Sequence, residues 1–173
     1  MSSRAHLGDI ESPKASGDAI EATLIQEFDA LGYVGDRTAT WHDAETIGLL
    51  EPSTTLPFYG IVVVEAETPI EIKACQVRTS NGSRSTRGRF YVKRRAHEQL
   101  LDAAGMYLLA VYVPRPGLPN LARAVVPATL VDELLRGRWY DVDADRSEQE
   151  VAQLAWSHVI DPESVDVPGG GRP

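Results

Sequence analysis

The sequence predicts an α/β domain built on a mixed central sheet. Two observations carry this: apolar residues recur at helical spacing in some segments and at strand spacing in others, and the two kinds interleave along the chain. In order the elements run α-β-β-β-α-β and then β-α-α, an alternation that puts helices on the faces of a sheet. At 173 residues the chain suits one well-buried domain with a tail rather than two domains.

Each element follows from its residues. Residues 1–16 lack periodicity and read as a flexible arm. The stretch "SGDAIEATLIQEFDALGY" sets Ile20, Leu24, Phe28 and Leu31 at helical spacing, with Ser16 or Asp18 to cap it and Gly32 to end it. "RTATWHD" reads as a strand, whereas "AETIGLLEPSTTLPF" is ambiguous, with Pro52 and Pro57 arguing for a loop. "YGIVVVEA" is β-branched on both faces, the pattern of a doubly buried strand. "EAET" is then the turn of a hairpin whose second strand is "PIEIKACQV". A polar loop, "RTSNGSRSTRG", leads to a helix at "VKRRAHEQLLDAAG" with Ala96, Leu100, Leu101 and Ala104 inward. Strands follow at "MYLLAVYV" and "LARAVVP", and helices at "ATLVDELLRG" and "SEQEVAQLAWSHVI". The domain thus spans residues 17–160, and residues 161–173 read as a disordered tail.

Composition narrows the function. No run approaches 18 apolar residues and the N-terminus has no apolar signal region, so the expectation is no membrane span and no secretory leader. One cysteine, Cys75, permits no internal disulfide and fits a reducing, cytoplasmic setting. Net charge is −8, against indiscriminate binding of nucleic acid by the whole surface. Yet from Ala74 to His97 there is no acid, while Arg78, Arg84, Arg87, Arg89, Lys93, Arg94 and Arg95 all occur. A basic arm sits on an acidic body, and an acid-free arm is suited to phosphate contacts.

The chemistry centres on "PIEIKACQVR". Side chains alternate faces along a strand, so Glu71 and Lys73 share one surface roughly 7 Å apart. Lysine is scarce, with Lys14, Lys73 and Lys93 the three in the chain. Lys73 therefore stands where this sequence usually prefers arginine, and lysine approaches a single point that a planar guanidinium cannot. The pair is either the solvated face of an edge strand or a site.

A helix opening "GDAIE", a hairpin with E-x-K on its second strand, a basic loop, a helix and a strand together resemble the PD-(D/E)XK nucleases. The resemblance covers about Gly17 to Val113, with the closest look to archaeal Holliday-junction-resolvase-like proteins. It implies a restriction-endonuclease-like core and a nuclease that hydrolyses DNA phosphodiesters with Mg²⁺ or Mn²⁺. By that resemblance Glu71 is a metal-binding acid, Lys73 the motif lysine, and Glu21 the first-helix acid. The family also carries an aspartate on the first strand of the hairpin. With "EAET" as the turn that position falls to Val62, so Asp43 or Glu51 would have to supply a migrated metal ligand. DNA, duplex or branched, is the implied partner, and a homodimer is left open. The alternative is a catalytically silent nucleic-acid-binding protein of the same fold.

Overall fold

The computed structural model describes residues 13–34, 41–53, 55–59, 63–142 and 150–165. Helix α1 (Pro13–Glu27) precedes β1 (Leu31–Tyr33), β2 (Ala44–Thr46) and β3 (Pro69–Gln76). A ribbon of β4 (Arg78–Asn81) and β5 (Arg84–Arg87) comes next, then β6 (Arg89–Lys93) and α2 (Arg94–Asp102). Strands β7 (Met106–Tyr112) and β8 (Asn120–Pro127), helix α3 (Ala128–Leu135), and strands β9 (Tyr140–Asp141) and β10 (Glu150–Ala155) complete the order.

The main sheet has the order β1-β2-β3-β7-β8, with β3 and β7 parallel and the other pairs antiparallel. Because β3 and β7 are central, both of their faces are covered. Ile70, Ile72, Leu108 and Ala110 pack against Ile20 and Leu24 of α1. Cys75, Tyr107, Leu109 and Val111 join Leu100 of α2 and Val131 and Leu135 of α3 on the other side. That second core extends into a small sheet of order β6-β10-β9. The α-β-β-β-α-β core is thus present, with the ribbon and β6 set between β3 and α2.

Several expected elements differ. The described strand paired with β3 on this side is β2, through Ala44↔Ile70 and Glu45↔Pro69. Of "YGIVVVEA", Gly60, Ile61 and Val62 lie outside the described residues; Val63 is exposed, and Val64 makes an isolated bridge to Leu50. The start of "RTATWHD" is likewise outside them, and regular strand begins at Ala44, within the segment that the sequence leaves ambiguous. Helix α1 begins at Pro13 and stops at Glu27, so Gly32 belongs to β1. The polar "RTSNGSRSTRG" forms a ribbon instead of a loop.

"EVAQLA" forms a strand where a helix was expected, and Trp156 opens a short 3-10 turn after it. The strand's period-two residues Ala152 and Leu154 pair with Val92 and Phe90 and enter their core, beside Trp156. Pairing with β6 hides both, and such tertiary context overrides local propensity.

Candidate active site

Strand β3 positions the site through its alternation. Ile70 and Ile72 bury toward α1, which leaves Glu71 and Lys73 on the opposite parity. Glu71 is 7 % exposed, Lys73 is partly buried, and their side chains form an ion pair. Asp43 stands where β2 begins. Its backbone N–H donates to the Ile70 carbonyl at 3.2 Å, and its Oδ2 accepts from the Ile72 N–H at 2.7 Å. A side-chain oxygen takes up a strand N–H at the end of the ladder, and this pins the Asp43 carboxylate beside Glu71. Extending the β2–β3 register by one residue brings the same two positions level. Glu21 follows Ile20 on α1, half-buried, close enough for Asp43, Lys73 and Glu71 all to act on its proton.

Burial pushes the Glu71 carboxyl up to about 7; Lys73 works against the shift, and Asp43 adds to it by charge and by a side-chain hydrogen bond. The bond and the neighbouring charge both favour the protonated form of Glu71. Burial likewise raises Glu21 to about 7, with Asp43 adding repulsion and Lys73 opposing. For Lys73, burial disfavours the ammonium, but Glu71, Asp43 and Glu21 outweigh it and hold the amine protonated. Three carboxyls thus act on one ammonium in a partly dehydrated pocket, where ionisation of both Glu21 and Glu71 at neutral pH is unfavourable. Among the described residues no group of three or more His, Cys, Asp or Glu side chains is placed to hold a metal ion.

A family model for the PD-(D/E)XK nuclease superfamily domain matches residues 9–161, a span containing all four of these residues. The chain belongs to the PD-(D/E)XK nuclease superfamily. The match does not single out the resolvase-like branch, and no curated protein and no solved structure matches the chain significantly.

Glu51 is exposed on the loop after the Leu50–Val64 bridge, and Lys73 and Asp43, not Glu51, are the leading charges on Glu71. Val62 lies outside the described residues, and the β2–β3 register gives Asp43 the place opposite Glu71 that the expected hairpin gave to Val62. Arg78, Arg84 and Arg87 are on the exposed ribbon. Arg89 and Lys93 share the exposed face of β6 with Tyr91, while Arg95 is exposed on α2. Arg94 differs, being held by Glu98 at 2.9 Å and Glu150 at 2.7 Å over the Trp139 ring.

Sequence reasoning missed the group behind Glu71. Tyr107 is the parallel-register partner of Glu71, and its hydroxyl lies 2.8 Å from Nδ1 of His97, whose Nε2 lies 3.3 Å from Asp132. His97 is buried, and burial lowers its pKa although Asp132 opposes this. The signal was there: His97 precedes the inward Leu100 by three residues, which puts it on the same helix face.

Proposed function

We propose that this superfamily member is a metal-dependent nuclease that hydrolyses DNA phosphodiester bonds at Asp43, Glu71, Lys73 and Glu21. The convergence of an acid from β2 with the E-x-K of β3 is the observation that carries the reading. The donor set fits Mg²⁺ or Mn²⁺. Such ions keep several waters and are held by one or two carboxylates plus substrate phosphate, so a complete protein cage is not needed. The raised pKa of Glu71 beside the Asp43 carboxylate marks a position short of positive charge, which a divalent cation would supply.

Bound by Asp43 and Glu71, the cation would polarise the phosphate and make hydroxide accessible from water near neutral pH. Lys73, kept cationic by its carboxylate neighbours, can hold the attacking water in line and offset charge building on the phosphate. Glu21, with its raised pKa, is suited to pass a proton near neutral pH. A silent nucleic-acid-binding module is the second reading, supported by the absence of a three-ligand cluster among the described residues.

Nicking of a supercoiled plasmid and of a branched duplex, with Mg²⁺ or Mn²⁺ against EDTA, separates the two. Under the nuclease reading, Asp43→Ala, Glu71→Ala and Lys73→Ala each lower cleavage by at least about 100-fold, and Glu51→Ala leaves it intact. Retention of DNA binding with no metal-dependent cleavage would establish the silent module.

A further inference from the structure

The ribbon of β4 and β5 has no architectural reason to be there. Every residue from Arg78 to Arg87 is Arg, Thr, Ser, Asn or Gly, so the ribbon has no apolar side chain with which to join a core. Its described side chains are exposed, and its strands pack mainly on each other. Isolated two-stranded hairpins are marginal in water. This one sets Arg78 directly opposite Arg87. An exposed ribbon that is acid-free and carries arginine suits an anionic partner.

Its mounting is rigid by contrast. At the root, the Val77 N–H donates to the Tyr112 carbonyl at 2.8 Å, and the Val77 carbonyl accepts from Trp156 Nε1 at 2.9 Å. Arg87 lies over the buried Trp156 ring, 5.8 Å from its centroid. Gly88 passes so near Gln76 that a Cβ there would sit 1.7 Å from the Gln76 carbonyl oxygen, so a glycine is required where the two legs meet. A polar finger is thus held in fixed orientation at the end of the strand that carries Glu71 and Lys73. Arg78 follows Lys73 by five residues, at most roughly 17 Å along the chain.

We infer that this ribbon enters the major groove of B-form duplex DNA and reads it while Lys73 and its carboxylate neighbours face the backbone; the inference rests on the nuclease reading. Four-residue legs reach roughly 13 Å, which suits a groove about 12 Å wide and 8.5 Å deep that admits a two-stranded ribbon. The composition fits as well. Arginine pairs with guanine, asparagine with adenine, and Ser or Thr with either, and the absence of acids avoids repelling phosphates. Duplex RNA is a poorer match, because its major groove is deep and too narrow for side chains to read.

The test uses the full chain in EDTA, so that binding is measured without cleavage. The probes are a DNA duplex of about two helical turns, the RNA duplex of the same sequence and the single DNA strand. The DNA duplex should bind at least about tenfold more tightly than either other probe. Methylation of guanine N7, which lies in the major groove, should interfere with binding at a short cluster of positions. The triple variant Ser80→Ala, Arg84→Ala, Ser85→Ala should lose that interference with an unchanged thermal unfolding midpoint, because these side chains are exposed. Equal affinity for the three probes, a preference for duplex RNA, or an absence of N7 interference would each overturn the inference. Interference without metal-dependent cleavage would sink the nuclease reading and leave the ribbon standing; cleavage without interference would do the reverse.

Discussion

Replacing Glu71 by glutamine isolates the free energy stored in the acid pair. Its carboxyl moves from an ordinary 4.5 to about 7 in the fold, so the folded protein holds that proton about 3 kcal/mol more tightly than the unfolded chain. Solvent screening removes little of this, because Glu71 is 7 % exposed. The folded pKa is the higher one. Its contribution to stability is therefore fully present below pH 4.5 and is lost as pH rises through about 7. Glutamine mimics the protonated acid, can still donate to Asp43, and does not ionise. The stability of Glu71→Gln relative to wild type should accordingly grow by about 3 kcal/mol between pH 4.5 and pH 8.5.

Urea unfolding at fixed ionic strength without divalent metal measures this difference at each pH. Taking the difference cancels most of the titration of other groups. Asp43→Asn supplies a second check: removing the neighbouring charge should move the transition to lower pH, since Asp43 helps to raise Glu71. Saturating Mg²⁺ should restore wild-type stability at high pH, by about 2.7 kcal/mol at a hundredfold excess over the dissociation constant. A difference flat to within about 0.5 kcal/mol across the window, where about 3 is expected, would mean Glu71 is ionised throughout, and the account of the site would fail.

Replacing Arg84, Arg87 and Arg89 together by alanine should flatten the log–log salt dependence of DNA binding by about 2 to 3, if each neutralises one phosphate; an unchanged slope would return them to the solvated surface. Trp156→Phe removes the donor to the Val77 carbonyl and should cost about 1 to 3 kcal/mol in urea unfolding, and a cost near zero would show that the ribbon root does not depend on that bond.

How much of this was legible follows from how strongly each segment repeats. Helix α2 and strands β3, β7 and β8 were readable because their apolar periods are long and their ends carry Gly, Pro or polar breaks. Strand β2 is three residues, Ala44–Thr46, with no β-branched run to announce it. "GIVVV" carries the stronger strand pattern, yet pairing is decided by which segment can lie beside β3, and no local property encodes that. "EVAQLA" has apolar residues compatible with either period, and the need of Phe90 and Val92 for a partner decided for strand.

The site was legible to the extent that it lies on one element. Strand parity alone places Glu71 with Lys73, but Asp43 reaches them through a register that the sequence hides, which is why it and Glu51 stood as equal candidates. The register separates them physically. Asp43 is bonded to the Ile72 N–H in the strand that carries the motif, whereas Glu51 faces solvent on a loop. Stability alone does not favour that arrangement. Two carboxyls with proton affinities raised to about 7 by burial are held around one lysine, and Tyr107 and His97 are hydrogen-bonded in the core behind them. An apolar residue at position 71 would relieve the repulsion and the dehydration together. A fold that keeps such a cost at a functional site offsets it elsewhere, and under the proposed nuclease reading a divalent cation held by Asp43 and Glu71 would supply the missing charge.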